Sequence, residues 1–146
     1  MYSNRELFAR LIQCEAGGEG RKGMEAVATV VMNRATITYG EFSRINEGGN
    51  VRNIILQQGQ FVCARTSVGG VYNSQNIYNM SPTEEHFEIA DWAINGGRLW
   101  GVDNSLFFYN PEGSQCRTYF PSNVGVIHNR IGDHCFYIPT SYYALT

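Results

Sequence analysis

Residues 11–34 read Leu-Ile-Gln-Cys-Glu-Ala-Gly-Gly-Glu-Gly-Arg-Lys-Gly-Met-Glu-Ala-Val-Ala-Thr-Val-Val-Met-Asn-Arg: an apolar stripe, a glycine-broken turn and a second apolar stripe. Together with Leu7 and Phe8 upstream, Leu11 and Ile12 recur at helical spacing and predict a helix over 5–14. Ser3 is its N-cap, and Glu6 completes a capping box. Glu15 continues the stripe, i+4 from Leu11 and i+3 from Ile12, so it falls at the border of the buried face as the helix ends. Gly17, Gly18 and Gly20 break the helix into a tight loop. A second helix is predicted over 23–35 through Met24, Val27, Ala28 and Val31, ending in the polar pair Asn33–Arg34.

Working outward, 38–50 reads as a loop closed by Gly48-Gly49-Asn50, 51–57 as a short helix, 60–64 as a strand, and 65–80 as a polar excursion rich in Gly and Asn. A helix then starts with Ser81 as N-cap, Pro82 at N1 and Glu84 at N3. It carries Phe87, Ala90, Trp92 and Ile94 as far as Gly96–Gly97. From Ser105 onward β-branched and aromatic residues predict strands over 106–109, 118–120 and 135–138, separated by Asn-Pro-Glu-Gly and Gly-Asp turns. With no internal repeat and no linker, the expectation is one α+β domain over 1–146, helices first and a small antiparallel sheet toward the C-terminus.

Composition narrows the function. A formal net charge of −2 argues against nucleic-acid binding, which needs a clustered basic face. No apolar run approaches a membrane span, and the first residues lack the basic start and apolar stretch of a secretory signal. Four cysteines, Cys14, Cys63, Cys116 and Cys135, are too few for a disulfide-stapled miniature and too scattered for a zinc ribbon, so the redox compartment stays open. Aromatic residues at 13% suit sugar stacking and core filling equally.

The chemistry centres on Glu15 and Glu19, which flank Gly17-Gly18. A carboxyl at the edge of a core loses solvation, which raises its pKa and keeps it protonated. Beside a groove, such an acid can donate to a glycosidic oxygen, and glycines let a polymer approach the backbone. The alternative is a helix-end surface charge, the commoner fate of a Glu.

The same stretch resembles the opening of the spore cortex-lytic cell-wall hydrolase family (the SleB/CwlJ type): a helix, Glu-Ala-x-Gly-Glu, then a Gly-led helix ending in Asn-Arg. Residues 57–61, the helix end Ala93-Ile-Asn-Gly96, and 106–111 are also similar to that family. Cys116 and the tail 129–139, with His134-Cys-Phe-Tyr137, are most like the CwlJ branch. The resemblance covers roughly 5–140. It implies a lysozyme-like fold of the resuscitation-promoting-factor kind and cleavage of peptidoglycan between N-acetylmuramic acid and N-acetylglucosamine, often as a lytic transglycosylase. The family's catalytic Glu falls on Glu15 and its second Glu on Glu19.

In the implied mechanism Glu15 protonates the bridging oxygen, and the muramic C6 hydroxyl attacks the oxocarbenium-like centre, with Glu15 taking back a proton. One carboxyl suffices because the nucleophile is intramolecular. Were water the attacker, a second carboxylate would be needed, and Glu19 is the nearest, with a loop-shaping role as its alternative. Phe61, Tyr109 and Asn110 are expected to line the groove beside Glu19, with ordinary packing as the alternative for each. Arg34 is expected to stabilise the helix C-terminus.

Further expectations are no cofactor or metal, a monomer, peptidoglycan of the spore cortex as substrate during germination, a spore-coat protein partner, and a location at the spore coat, cortex or cell wall. Competing classes are a zinc peptidase or amidase using Cys116, His128, His134 and Cys135, a Cys/His peptidase using Cys14 or Cys63 with His134, and a non-catalytic glycan-binding module. Metal-motif spacing is lacking, and the neighbours His134 and Cys135 would face opposite ways on a strand. A Cys116–Cys135 disulfide is the simpler use of that pair.

Overall fold

The computed structural model describes residues 1–146. Its first helix, α1 (Asn4–Ala16), begins as expected: the Ser3 side chain accepts from the Glu6 amide, and Leu7, Phe8, Leu11, Ile12 and Ala16 are buried. After the Gly17–Glu19 turn, α2 (Gly20–Thr36) starts one turn earlier than its apolar stripe indicated. Its middle is buried on every side, through Ala26, Val27, Ala28, Val30 and Val31, as befits a helix at the centre of a domain. Around it lie α1, α3 (Gly40–Asn46), α4 (Val51–Leu56) and α5 (Glu84–Ile94).

The expected loop over 38–50 contains α3. Its seven residues are too few to show a period, and it is held by the inward Phe42 and Asn46. Asn46 Nδ2 donates to the Arg34 and Ile37 carbonyls, closing the end of α2. Gly40 opens α3 at φ +74°, and a Cβ there would stand 2.5 Å from the Tyr143 ring. Gly40→Ala should therefore cost about 2–4 kcal/mol, left-handed strain plus overpacking, read as a lowered urea midpoint at unchanged slope.

Two other boundaries moved. Residues 60–64 form no strand: Phe61 is extended, and Val62–Ala64 is a single 3₁₀ turn tied by a Cys63–Cys14 disulfide, with no neighbouring strand to pair with. The fifth helix begins two residues later than its Ser-Pro signal. Thr83 is the N-cap, and His86 Nδ1 accepts from the Thr83 amide at 2.8 Å, so His86 takes the capping-box place given to Glu84.

The helices-first, sheet-second order stands. After a small hairpin, β1 (Ser67–Val68) and β2 (Val71–Tyr72), inside the polar excursion, an antiparallel sheet forms from β3 (Phe107–Tyr109), β4 (Gly125–Ile131) and β5 (His134–Pro139) in the order β3-β5-β4. The expected strand at 118–120 is only a bridge, Tyr119 to Val126, and its place is taken by β4. A bulge between Ile127 and Asn129 breaks the alternation of β4, leaving His128, Asn129 and Arg130 consecutively exposed. Phe107, Phe120 and Tyr137 stack beneath the sheet against Phe42 and Tyr143, closing the core between sheet and α3 before the short α6 (Ser141–Ala144). No helix is long and apolar enough to cross a membrane.

Candidate active site

Glu15 sits on the last turn of α1, where the stripe that buries Leu11 and Ile12 runs out. Its side chain is partly buried and lies where two clefts meet. The first, of about 430 Å³, is walled by Phe61, Phe108, Tyr109 and Phe120, with Asn110 at its rim and Arg34 and His134 inside. The second, of about 360 Å³, runs over Gly17 and Gly18 to Gln75 and His86, and Glu19 lines it. An acid at the junction of an aromatic trough and an open glycine floor has the placement needed for a polymer lying across it.

Burial raises the pKa of Glu15 above the ordinary carboxyl value. His134 when protonated, the Arg34 charge and a hydrogen bond from the Cys63 backbone oppose that rise, and the Glu19 charge adds to it. Desolvation is the largest of these influences, so the proton is held more tightly than in water.

The other expected residues divide. Phe61, Tyr109 and Asn110 share one cleft with Glu15. The Tyr109 hydroxyl accepts from the Arg117 amide, and Asn110 Oδ1 accepts from the Glu112 amide, so both are fixed by the loop that follows β3. Glu19 turns to the β4–β5 hairpin: its carboxylate lies 2.9 Å from His134 Nδ1 and accepts from the Asp133 amide at 3.3 Å.

Arg34 corrects the sequence reading. Rather than serving the helix end, it is buried under Phe42, 4.5 Å from the ring, and donates to the Leu106 carbonyl at 2.7 Å and to Gln60 Oε1 at 3.3 Å. Desolvation lowers its pKa to about 10. The overlooked signal was its position, i+3 from Val31 and i+7 from Val27 on the inward stripe.

The cysteine alternatives are overturned. Cys14 is bonded to Cys63 and Cys116 to Cys135, and no free thiol remains as nucleophile or ligand. His128 pairs with Asp103, 2.8 Å away, and does not line the cleft that holds His134. His134 and Cys135 do face opposite ways, one into the cleft and one to its disulfide.

The α+β fold thus carries a shielded carboxyl where two clefts meet, the arrangement of an enzyme site. The model of the cell wall hydrolase family matches residues 18–137, a segment that begins just after Glu15 and takes in Glu19 and His134. The cell wall hydrolase CwlJ of Oceanobacillus iheyensis is 32% identical over 138 residues, 93% of this chain and 86% of that protein. CwlJ of Bacillus subtilis is 29% identical over 136 residues, 93% and 85% of the two chains. Among solved structures, the catalytic domain of the germination-specific lytic transglycosylase SleB from Bacillus anthracis superposes with a TM-score of 0.64 at 24% identity, covering 93% of this chain and 96% of that one. The Bacillus cereus SleB catalytic domain gives 0.66 at 24% identity, covering 94% and 92%. The chain belongs to the cell wall hydrolase family.

Proposed function

We propose that this enzyme cuts peptidoglycan glycan strands between N-acetylmuramic acid and N-acetylglucosamine as a lytic transglycosylase, with Glu15 as the acid and residues 1–146 as one catalytic unit. The observation that carries the reading is the shielded Glu15 carboxyl at the meeting of two clefts. Glu15 gives its proton to the bridging oxygen. An oxocarbenium-like centre develops at the muramic C1, and the C6 hydroxyl of the same sugar closes on it, leaving a 1,6-anhydro end. Glu19, the other carboxylate nearby, is engaged by His134 and the Asp133 amide. That favours an intramolecular nucleophile over a water held by a free second carboxylate.

Phe61 and Tyr109 offer faces for sugar rings, and Asn110 and Glu19 polar contacts along the strand. The relatives named for cell wall hydrolysis and the germination-specific neighbour support the spore cortex as substrate and a location at the spore cortex or cell wall, and the same reading gives the enzyme a place at the spore coat and a spore-coat protein partner. The enzyme acts as a monomer without cofactor or metal.

Mass spectrometry of muropeptides released from purified cortex tests this directly. Anhydro-muramic ends are expected, at a rate unchanged by EDTA. Reducing ends would replace transglycosylation by hydrolysis. Severed peptides with intact glycan, or activity lost to EDTA and restored by zinc, would return the peptidase class.

A further inference from the structure

In the single-carboxyl reading Glu15 must both give a proton and take one back. When the C6 hydroxyl attacks C1, its proton must go somewhere while Glu15 is delivering its own to the leaving oxygen. The structure holds a second proton-handling group in the same cleft. His134 is buried at the first position of β5 and lines the trough with Glu15. Its ring is fixed on three sides. Nδ1 lies 2.9 Å from the Glu19 carboxylate, Phe108 meets the ring edge-on at 5.2 Å, and Phe136 packs at 6.3 Å.

The Glu19 carboxylate can only accept, so the proton of a neutral His134 sits on Nδ1 and the lone pair on Nε2. Nε2 has no hydrogen-bond partner in the protein and is not sealed from solvent. Glu19 itself is held by the Asp133 amide, and the hairpin passes so close that a Cβ on Gly132 would lie 3.2 Å from its Oε1. An imidazole oriented by a carboxylate, its other nitrogen unpartnered and its ring lining a cleft, is the arrangement that makes histidine a general base.

We propose that His134 is the base of the reaction, oriented by Glu19 as a positioning residue, and that the acid and base roles are divided between Glu15 and His134. This rests on the glycan-cleavage reading above. The C1–O4 bond breaks with its electron pair going to O4, which takes the Glu15 proton. The C6 oxygen forms the new bond to C1 and releases its proton to His134 Nε2. Glu15 ends as a carboxylate and His134 as an imidazolium, its charge balanced by Glu19. A proton returned from His134 to Glu15 through solvent resets the site, so no water is consumed and no oxidant or reductant is needed. Glu15 need not serve as both donor and acceptor within one event.

The bland use of the same pair is a latch joining the α1–α2 turn to the β4–β5 hairpin, and the test must separate the two. Release of anhydro-muropeptides from purified cortex is measured for the full chain and for His134→Ala, His134→Gln, Glu19→Gln and Glu15→Gln, with near-ultraviolet circular dichroism as the check on packing. His134→Ala is expected to lose on the order of 10²-fold in kcat and to regain part of it when imidazole is added, because the free base fills the vacated space. His134→Gln keeps hydrogen-bonding capacity without a proton acceptor and should lose as much. Glu19→Gln should lower kcat about 10-fold, a larger change than in KM, without rescue by imidazole.

A His134→Gln variant as active as the wild type overturns the proposal, and so does a folded His134→Ala whose loss imidazole does not touch. If Glu15→Gln is inactive while both His134 variants cleave normally, the base assignment alone falls. If Glu15→Gln is itself active, the glycan-cleavage reading has failed first.

Discussion

Glu15→Gln should lower the rate of glycan cleavage by about 10²–10⁴-fold while leaving the fold intact, the loss typical of removing a positioned general acid. The amide matches the acid in shape, so the clefts on either side keep their walls, but it has no acidic proton to give. The same substitution should change how stability depends on pH, and the sign follows from burial. Desolvation holds the folded-state pKa of Glu15 above its unfolded value, despite the opposing influence of His134 and Arg34. Below the unfolded pKa the group is protonated in both states and contributes no penalty. As pH rises from there toward the folded pKa, the unfolded chain ionises first, and the wild type loses stability until the folded pKa is passed. The Gln variant escapes that loss. Urea titrations should show it more stable relative to wild type at pH 7 than at pH 4. An equal difference at the two pH values would mean an ordinary solvated Glu15, and a well-folded variant with normal cleavage would remove it as the acid.

The parts of this molecule that could be read from sequence are those with local causes. The stripe Leu7, Phe8, Leu11, Ile12 defines α1 and places Glu15 at the edge of burial, which is where it lies. Phe61, Tyr109 and Asn110, nearly fifty residues apart in two groups, meet Glu15 in one cleft. They could be named because the resemblance carried them, not because any periodicity linked them. What escaped notice depends on distant partners. Glu19 and His134 are separated by 115 positions and find each other only when the β4–β5 hairpin closes on the α1–α2 turn. Arg34 looked like a helix-end cation because an Arg is rarely buried. Its burial needs the Leu106 carbonyl, the Gln60 amide oxygen and the Phe42 face, from three other segments. The strand β4 was hidden by its bulge, since one extra residue destroys the alternation that would reveal it. The helix α3 was hidden by its length: its stability comes from Phe42 in the aromatic core rather than from propensity.

Removing the Cys14–Cys63 disulfide should produce the largest loss of stability among these changes and should reach the active site as well. The bond joins residues 49 apart, and the loop entropy it withdraws from the unfolded chain amounts to about 4 kcal/mol at 25 °C. That is a large share of the roughly 5–15 kcal/mol that holds a domain of this kind folded. The Cys116–Cys135 bond closes a span of 19 residues and should matter less, at about 3 kcal/mol. Position separates the two further. Cys14 is the residue before Glu15, and Cys63 supplies the backbone hydrogen bond that Glu15 receives, so this bond ties the end of α1 to the wall of the trough that carries Phe61. Once it is gone, α1 keeps its buried stripe, but the segment around Phe61 and Val62–Ala64 is held by packing and by non-covalent contacts alone, among them Arg34 to Gln60 and Asn73 to the Val62 and Arg65 carbonyls. The double variant Cys14→Ala/Cys63→Ala, which leaves no unpaired thiol, is therefore expected to lose about 3–4 kcal/mol in urea titrations. At a temperature where it remains folded it should cleave more slowly, with a raised KM, while releasing the same products. Stability within 1 kcal/mol of wild type would show that the bond does not restrain the unfolded chain as its span requires. An unchanged KM in the folded variant would show that the trough wall keeps its place without the covalent tie.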